Sequence, residues 1–363
     1  MRRSPGCGDR VSLNIWRSEG SASVASLTTH GLTGNGVAAQ QPNRYLCVKG
    51  KAGLGNRMLA AATAWLYAQL SGRAFVPDWC DYTYSHDGSN VFHRLFECKD
   101  SVVALPDFDE TSVAPTRWIS RLSETADKMV DDFDGGDHSS ATLWRRYSID
   151  LGRLDHPERY AMFWSYDAHI RRLRPHLDGA WASWRDLSDD QIIARVLRDH
   201  ITLAPAIRRQ VDAFAAAHFS GGVIGVHIRN TDRRTSVTAS LRHLAQLRAR
   251  HPAATIFLAT DNRRAEELVR RRYDRVLSTA KWFPEDGAPM HQNTNCPDRL
   301  QNAVEGLIDM YLLAECDYLI FPASSTFSRI AGLISTKPRA NLIDIERHRP
   351  GVRIRRFVRS LIQ

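Results

Sequence analysis

The chain of 363 residues is long enough to form two α/β domains of ordinary size, each with its own apolar core. Of the net charge of +9, residues 1–43 carry +2, residues 346–363 carry +5, and the body at 44–345 carries only +2. A nearly neutral body argues against nucleic-acid binding, and no run of the sequence approaches the ~20 apolar residues that a membrane span needs.

The two ends of the chain and its cysteines give predictions about location. Residues 1–43 are rich in Ser, Gly and Thr and lack the apolar block of a signal peptide, so we predict a flexible arm or a start assigned too far upstream. Residues 346–363 carry apolar side chains on one helical face and arginines opposite, which predicts a basic amphipathic helix that docks on the body, with peripheral membrane contact as the alternative. The six cysteines show no C-x-x-C pair or metal-finger spacing, which favours a reducing, cytoplasmic location.

The hydrophobic pattern between these ends indicates two halves. In residues 44–200 it predicts, in chain order, a strand at 44–48, a helix at 58–70, strands at 74–76 and 102–105, a helix at 119–130, a strand at 161–164 and a helix at 189–198. In residues 201–345 it predicts helix 205–217, strand 223–226, helix 236–250, strand 255–259, helix 263–272, strand 275–277, helix 300–314, strand 318–321, helix 326–335 and strand 341–345. Because this alternation produces right-handed βαβ units, we predict an α/β fold of two Rossmann-like domains that face a cleft.

The most informative stretch follows the strand at 223–226, where His227, Arg229, Asp232 and Arg233 stand close together. Ligands of open α/β sheets bind beyond the carboxyl ends of the strands, and the planar guanidinium fork suits a diphosphate. A solvated basic turn explains this motif equally well by itself, so the other strand ends must decide between the two interpretations.

A Gly-rich loop follows the first predicted strand and contains Gly53, Gly55, Asn56 and Arg57. Its glycines let the backbone approach a ligand closely, and the helix that follows supplies unsatisfied N–H groups. A tight turn explains the glycines equally well, but it does not explain Arg57, which we expect to point into the cleft.

Polar groups also follow the later strands of the second half. Asp261 is expected to bind a ribose or a base edge, to cap the following helix, or both. Asp309 stands in an apolar helical segment, so it is expected to be either solvated on one face or paired. A paired carboxylate near a ligand is suited to accept the two N–H groups of a guanine edge, and Glu305 lies on the same helical face. Ser325 and Thr326 open a helix, where hydroxyl groups act as caps or complete a phosphate nest. Ligand-type groups at four strand ends of one sheet favour a binding site.

One acidic pair, Asp132 and Asp134, resembles the carboxylates with which some sugar-nucleotide enzymes hold a divalent metal. Such a pair normally follows an apolar strand, and this one stands in a Gly-rich acidic loop without one. We therefore predict no metal site there.

The order of these motifs resembles the nodulation protein Z family, the rhizobial α1,6-fucosyltransferases that are related to the eukaryotic core fucosyltransferases. The shared sequence is a GxGN loop, an Ala/Trp helix, an HxR strand end, an ATD strand end, an IDMYLLAECD helix and an SSTFSR turn, over most of residues 44–335. The resemblance implies a GT-B fold with an acceptor-side domain at 44–200, a domain at 201–345 that binds GDP-fucose, and no metal or other cofactor. It further implies that His227 lies near the guanosine, that Arg229 binds the β-phosphate, that Asp261 is the carboxylate of the ATD strand end, that Asp309 reads the guanine, and that Ser325 and Thr326 contact phosphate.

Two positions depart from the related core enzymes. Asn230 stands where they carry a second arginine, and Val237 stands where they carry the glutamate that is their candidate general base. The base is therefore open, with Asp232, Asp81 and Glu305 as candidates.

These observations together predict a cytoplasmic inverting glycosyltransferase that moves fucose from GDP-fucose to a hydroxyl of a carbohydrate acceptor, such as an N-acetylglucosamine of a chito-oligosaccharide in α1,6 linkage. Arg229 is expected to assist the departing GDP, with Arg57 or Arg233 contributing. The alternatives are a transferase for another nucleotide sugar (GDP-mannose or a rhamnosyl donor) and a non-catalytic protein that binds sugar nucleotides.

Overall fold

The computed structural model describes residues 44–105, 111–229, 236–284 and 295–347. Within these ranges the strands form a four-stranded and a five-stranded parallel sheet and one short antiparallel pair. The predicted arm at 1–43 and residues 348–363 of the predicted C-terminal helix lie outside the described residues. Within the described ranges, no helix combines the length and the apolarity that crossing a bilayer requires.

The first sheet has the strand order β2-β1-β5-β4 and belongs to the N-terminal half. The elements of this half are β1 (Tyr45–Lys49), α1 (Leu54–Ser71), β2 (Ala74–Asp78), α2 (Phe92–Leu95), β3 (Phe96–Glu97), β4 (Val113–Ala114), α3 (Ala126–Asp134), β5 (Tyr160–Phe163), α4 (Ile170–Leu173), α5 (Asp189–Asp199) and β6 (Thr202–Leu203). Helix α1 is rich in alanine, which favours the helix and allows close packing against β1, β2 and α5. It ends at Gly72, whose φ of 63° is the left-handed conformation that glycine adopts without strain.

The second sheet has the strand order β11-β10-β7-β8-β9 and belongs to the C-terminal half. The elements of this half are α6 (Pro205–His218), β7 (Val223–Ile228), α7 (Val237–Arg250), β8 (Thr255–Thr260), α8 (Arg263–Arg272), β9 (Val276–Leu277), α9 (Arg299–Glu315), β10 (Tyr318–Phe321), α10 (Thr326–Ile334) and β11 (Leu342–Asp344). All strand pairs of this sheet are parallel, as the βαβ pattern predicts.

Two predicted elements of the N-terminal half are wrong or displaced. The strand predicted at 102–105 is absent from the described residues, where only Ser101 forms a bridge to Phe75 and Val103 is 68% exposed. The helix predicted at 119–130 begins instead at Ala126, because Thr125 caps it by accepting from a backbone N–H. Apolar side chains alone did not distinguish these loops from regular elements.

The two halves meet along a tight seam. A Cβ atom on Gly55 would lie 2.5 Å from the carbonyl carbon of Thr326, so only glycine allows the start of α1 to pack on the start of α10. The Thr326 hydroxyl donates to Asn56 Oδ1 at 3.0 Å, and Arg329 forms an ion pair with Asp167 at 2.7 Å. These contacts place the carboxyl ends of both sheets on one cavity.

Candidate active site

A cleft of about 730 Å³ lies between the two halves, at the carboxyl ends of the strands. It is lined by the start of α1, the ends of β7 and β8, one face of α9, the start of α10 and loops of the N-terminal half. Most of the residues singled out from the sequence line this cavity: Gly53, Gly55, Asn56, His227, Arg229, Asp261, Asp309, Ser325 and Thr326.

Two helices begin at this cleft. Neither α1 nor α10 has an acidic residue in its first turn, and neither Gly53 nor Ser325, the two N-cap residues, makes a side-chain cap hydrogen bond. The Ser325 hydroxyl is buried without a partner among the described residues. The positive ends of both helices favour an anion, and Arg229 on the same wall adds a full positive charge.

His227 is a buried, neutral member of the site. Its ring stacks on Phe327, with 5.1 Å between ring centroids and 27° between the planes. Burial, followed by the nearby charges of Arg229 and Lys281, lowers the pKa of His227 to about 3. The imidazole is therefore uncharged near neutral pH, and in this structure it contributes a ring face that stacks on Phe327 rather than a charge.

One face of α9 lines the cleft with Asn302, Gly306 and Asp309. Asp309 is paired, which is one of the two expected states: Thr279 Oγ1 donates to Oδ1 at 2.6 Å, and Lys281 Nζ forms an ion pair with Oδ2. The sequence analysis missed both partners, which come from the segment after β9. A lysine four residues after the predicted strand 275–277 was the available signal.

Glu305, a candidate base, is not among the residues that line the cleft. Its carboxylate accepts from the backbone N–H of Trp282 at 3.1 Å, and burial raises its pKa. We therefore revise its predicted role from base to support of the segment that carries Lys281.

Asp261 follows β8 and lines the cleft. The cap of the following helix is Asn262, whose side chain accepts from the backbone N–H of Ala265 at 3.0 Å. The capping alternative for Asp261 is thus wrong, and its role as a ligand-binding group stays a prediction.

Arg57 does not line the cleft, contrary to the expectation from the sequence. It is only 1% exposed, forms an ion pair with Asp81 at 2.5 Å, donates to the carbonyl of Ala52 at 2.7 Å and lies near the rings of Trp79 and Tyr84. We revise its role from donor contact to support of the Gly-rich loop from behind. Asp81 is buried in this ion pair and does not line the cleft, so it is no longer a candidate for the base.

The remaining predicted residues lie away from the cleft or outside the described part of the chain. Asp232 and Arg233 lie outside the described residues. Asp132 forms ion pairs with Arg121 and Lys128, and Asp134 contacts Arg146 and Tyr147. In the described part of the chain no three His, Cys, Asp or Glu side chains group as metal ligands.

The sequence analysis also missed the N-terminal wall of the cleft. The side chain of Lys51 is 2% exposed; its ammonium donates to Asp127 at 2.5 Å and lies 3.0 Å from His138 Nδ1. Burial lowers the pKa of Lys51, although Asp127 opposes this effect. Trp144 and Tyr166 complete this wall with aromatic surface.

Two Rossmann-like halves whose strand ends face a shared cleft are the architecture of the GT-B glycosyltransferases, and the predicted fold class is confirmed. The model of the nodulation protein Z family (NodZ) matches residues 179–355, just under half of the chain. Nodulation protein Z of Azorhizobium caulinodans is 27% identical over 322 residues, which cover 80% of this chain and 89% of that protein. Nodulation protein Z of Bradyrhizobium diazoefficiens is 25% identical over 349 residues, which cover 87% of this chain and 84% of that protein.

Solved structures agree with these matches. The structure of NodZ α-1,6-fucosyltransferase soaked with GDP-fucose has a TM-score of 0.52 at 23% identity, over 80% of this chain and 92% of that chain. The same enzyme co-crystallized with GDP has a TM-score of 0.52 at 25% identity, over 79% of this chain and 91% of that chain. The resemblance to the nodulation protein Z family, which the order of the motifs predicts, is thereby confirmed.

Proposed function

We propose that this protein is an inverting glycosyltransferase that transfers fucose from GDP-fucose to a hydroxyl of a carbohydrate acceptor. The observation that carries the proposal is the convergence of two helix N-termini and Arg229 on one cleft that also contains a buried, paired Asp309. A positive, anion-binding region beside a carboxylate suits a guanosine diphosphate. The similar enzyme NodZ was solved after soaking with GDP-fucose and after co-crystallization with GDP, which supports this choice of donor.

The donor would lie along the C-terminal half. Arg229, Ser325 and Thr326 would bind the diphosphate, with Asp261 at the ribose and Asp309 at the base. Gly53 and Gly55 would bring the backbone of the N-terminal half close to the same diphosphate. The donor is the only bound group that the proposal requires, because protein charge and helix N-termini can stabilise the leaving phosphate.

The acceptor would lie along the N-terminal wall. Tyr166, which is only partly buried, offers an aromatic face to the apolar side of a sugar ring, and Asp127 and His138 offer hydrogen bonds to its hydroxyl and amide groups. This combination suits an N-acetylglucosamine unit of a chito-oligosaccharide, and the α1,6 linkage of the similar NodZ enzymes favours its 6-hydroxyl as the nucleophile.

In the reaction the acceptor oxygen would form a bond to the fucose anomeric carbon while the bond from that carbon to the β-phosphate oxygen breaks. The acceptor proton would pass to a carboxylate, and the electron pair of the breaking bond would leave with GDP, stabilised by Arg229. Asp232 remains our proposed base, with Arg233 assisting at the phosphate. We add Asp127 as a second candidate because its side chain lines the cleft and is 49% exposed.

The test is transfer from GDP-fucose to chitotetraose by the full-length protein and by Arg229→Ala. Loss of a charged contact to the leaving group is expected to lower kcat by about 100-fold or more. Arg264→Ala, at an exposed position of α8, is the matched control and should keep wild-type turnover. Undiminished turnover in Arg229→Ala would refute the assignment of the leaving-group role.

Two further properties remain predictions from the sequence. The cytoplasmic location is one, and peripheral membrane contact through the basic C-terminal segment is the other. Binding of the full-length protein to vesicles of anionic and of neutral lipids would test the second.

A further inference from the structure

Lys281 and Asp309 form a buried ion pair in the wall of the cleft. Their side chains are 4% and 5% exposed, and both residues line the cavity. Removing two charges from water is costly, so such a pair is weak evidence for a purely stabilising role. Lys281 also lies near His227, since its charge contributes to lowering the pKa of that imidazole. The pair therefore stands at the end of the cleft where the nucleobase of the proposed donor would lie.

The partners of the pair leave hydrogen-bonding capacity for a ligand. A carboxylate has about four lone-pair positions, and among the described residues Thr279 and Lys281 each donate to a different oxygen of Asp309. An ammonium has three N–H donors, of which Asp309 takes one. A ligand edge can thus bind both groups without breaking the ion pair.

We propose that Lys281 determines the specificity for guanine by donating to its O6 atom while Asp309 accepts from N1–H and from the 2-amino group. The inference rests on the proposed function and adds a residue that the sequence motifs do not contain. The Watson–Crick edge of guanine presents two donors followed by one acceptor, which is the complement of a carboxylate beside an ammonium.

Other bases do not fit this pair. Adenine would turn its unprotonated N1 atom towards the carboxylate and its amino group towards the ammonium, so both contacts would be repulsive. Uracil has a single N–H between two carbonyl oxygens, and one of these would face Asp309. Rejection of both bases follows from leaving buried charged groups unpaired.

The experiment measures dissociation constants by calorimetry for GDP, for 6-thio-GDP and for IDP. The thio analogue keeps both N–H donors but replaces O6 by a weaker acceptor, whereas IDP keeps O6 and lacks the 2-amino group. We expect wild-type protein to bind 6-thio-GDP about tenfold more weakly than GDP, as for loss of a charge-assisted hydrogen bond. In Lys281→Met the dissociation constant for 6-thio-GDP divided by that for GDP should fall to about one or two. The dissociation constant for IDP divided by that for GDP should stay unchanged.

Asp309→Asn provides the complementary control, because it should reduce the preference for GDP over IDP. Circular dichroism checks the folding of each variant. If Lys281→Met does not fold, Lys281→Gln keeps a donor against Asp309 without the charge, and its preference for GDP over 6-thio-GDP should fall by about threefold.

Two outcomes overturn the inference while leaving the proposed function intact. One is wild-type protein that binds GDP and 6-thio-GDP equally. The other is a folded Lys281 variant that loses the same factor for all three nucleotides, which would mean that Lys281 only neutralises Asp309. Wild-type protein that binds none of the three nucleotides would overturn the proposed function itself.

Discussion

Substitution of Gly55 by alanine tests the seam between the two halves. The added methyl group would lie 2.5 Å from the carbonyl carbon of Thr326 and 2.6 Å from the backbone nitrogen of Phe327. Relief to an ordinary contact requires the two backbones to separate by roughly 1 Å, since main-chain atoms cannot rotate away as a side chain can.

Overpacking of this kind costs about 1–3 kcal/mol, and the better helix propensity of alanine returns at most about 1 kcal/mol. For a chain of 363 residues 1 kcal/mol corresponds to about 1.3 °C, so we expect Tm to fall by about 1–4 °C. Because Gly55 and Thr326 both line the cleft, the affinity for GDP should fall as well.

The assay is thermal unfolding by circular dichroism, with GDP affinity measured by calorimetry on the same samples. The matched control is Gly152→Ala in an exposed loop, where the new methyl group would meet only the side chain of Asp150, at 3.3 Å or more. That variant should differ from wild type by less than about 0.5 kcal/mol. A Tm for Gly55→Ala within error of the control would refute the close packing of α1 on α10.

Three further predictions concern the same region. Thr326→Val removes the hydroxyl that donates to Asn56 and should cost about 1 kcal/mol in urea unfolding, with Thr326→Ser restoring most of it. Arg329→Met leaves the carboxylate of Asp167 without its ion pair, and we expect a loss of about 1–3 kcal/mol by the same measurement. The third prediction concerns the pH dependence of stability. The pKa of His227 is about 3 in the folded protein and 6.5 ordinarily, so between these two pH values only the unfolded chain protonates the imidazole. Stability should therefore fall with falling pH, and His227→Asn should flatten that dependence by about 1.4 kcal/mol per pH unit.

Each of these three has a clear contrary result. Equal stability of Thr326→Val and wild type would mean that the hydroxyl is solvated in solution. An Arg329→Met variant as stable as wild type, at low and at high salt, would show that this ion pair does not stabilise the seam. The same pH dependence in His227→Asn as in wild type would show that His227 takes up its proton in the folded state too.

Much of the fold and part of the site followed from local sequence. The alternation of strands and helices from 201 to 345 predicted the five-stranded sheet, because each strand there is a short apolar run and a helical pattern separates consecutive strands. Polar groups such as His227, Asp261 and Ser325 were predicted as site residues because a parallel sheet brings its carboxyl ends together. These are consequences of patterns that extend over a few residues.

The partners of these groups could not be predicted in this way. Lys281 reaches Asp309 across 28 positions, and Thr326 reaches Asn56 across 270 positions, so neither contact leaves a periodic trace in the sequence. Arg57 was misplaced for the same reason, since its partner Asp81 follows a different strand and holds it behind the loop. Side-chain direction at a loop depends on packing that only the assembled halves provide.

The hydrogen bond between Thr326 and Asn56 joins the two halves at the point where the donor phosphate is proposed to bind. The free energy that binds the donor and the free energy that holds the halves together are therefore linked quantities. A ligand that orders the start of α10 also orders its contact with α1, although α1 belongs to the other sheet. If the donor binds there as proposed, we expect its occupancy to stabilise the acceptor wall at a distance, so that the loaded protein binds its acceptor with more preorganisation than the empty one.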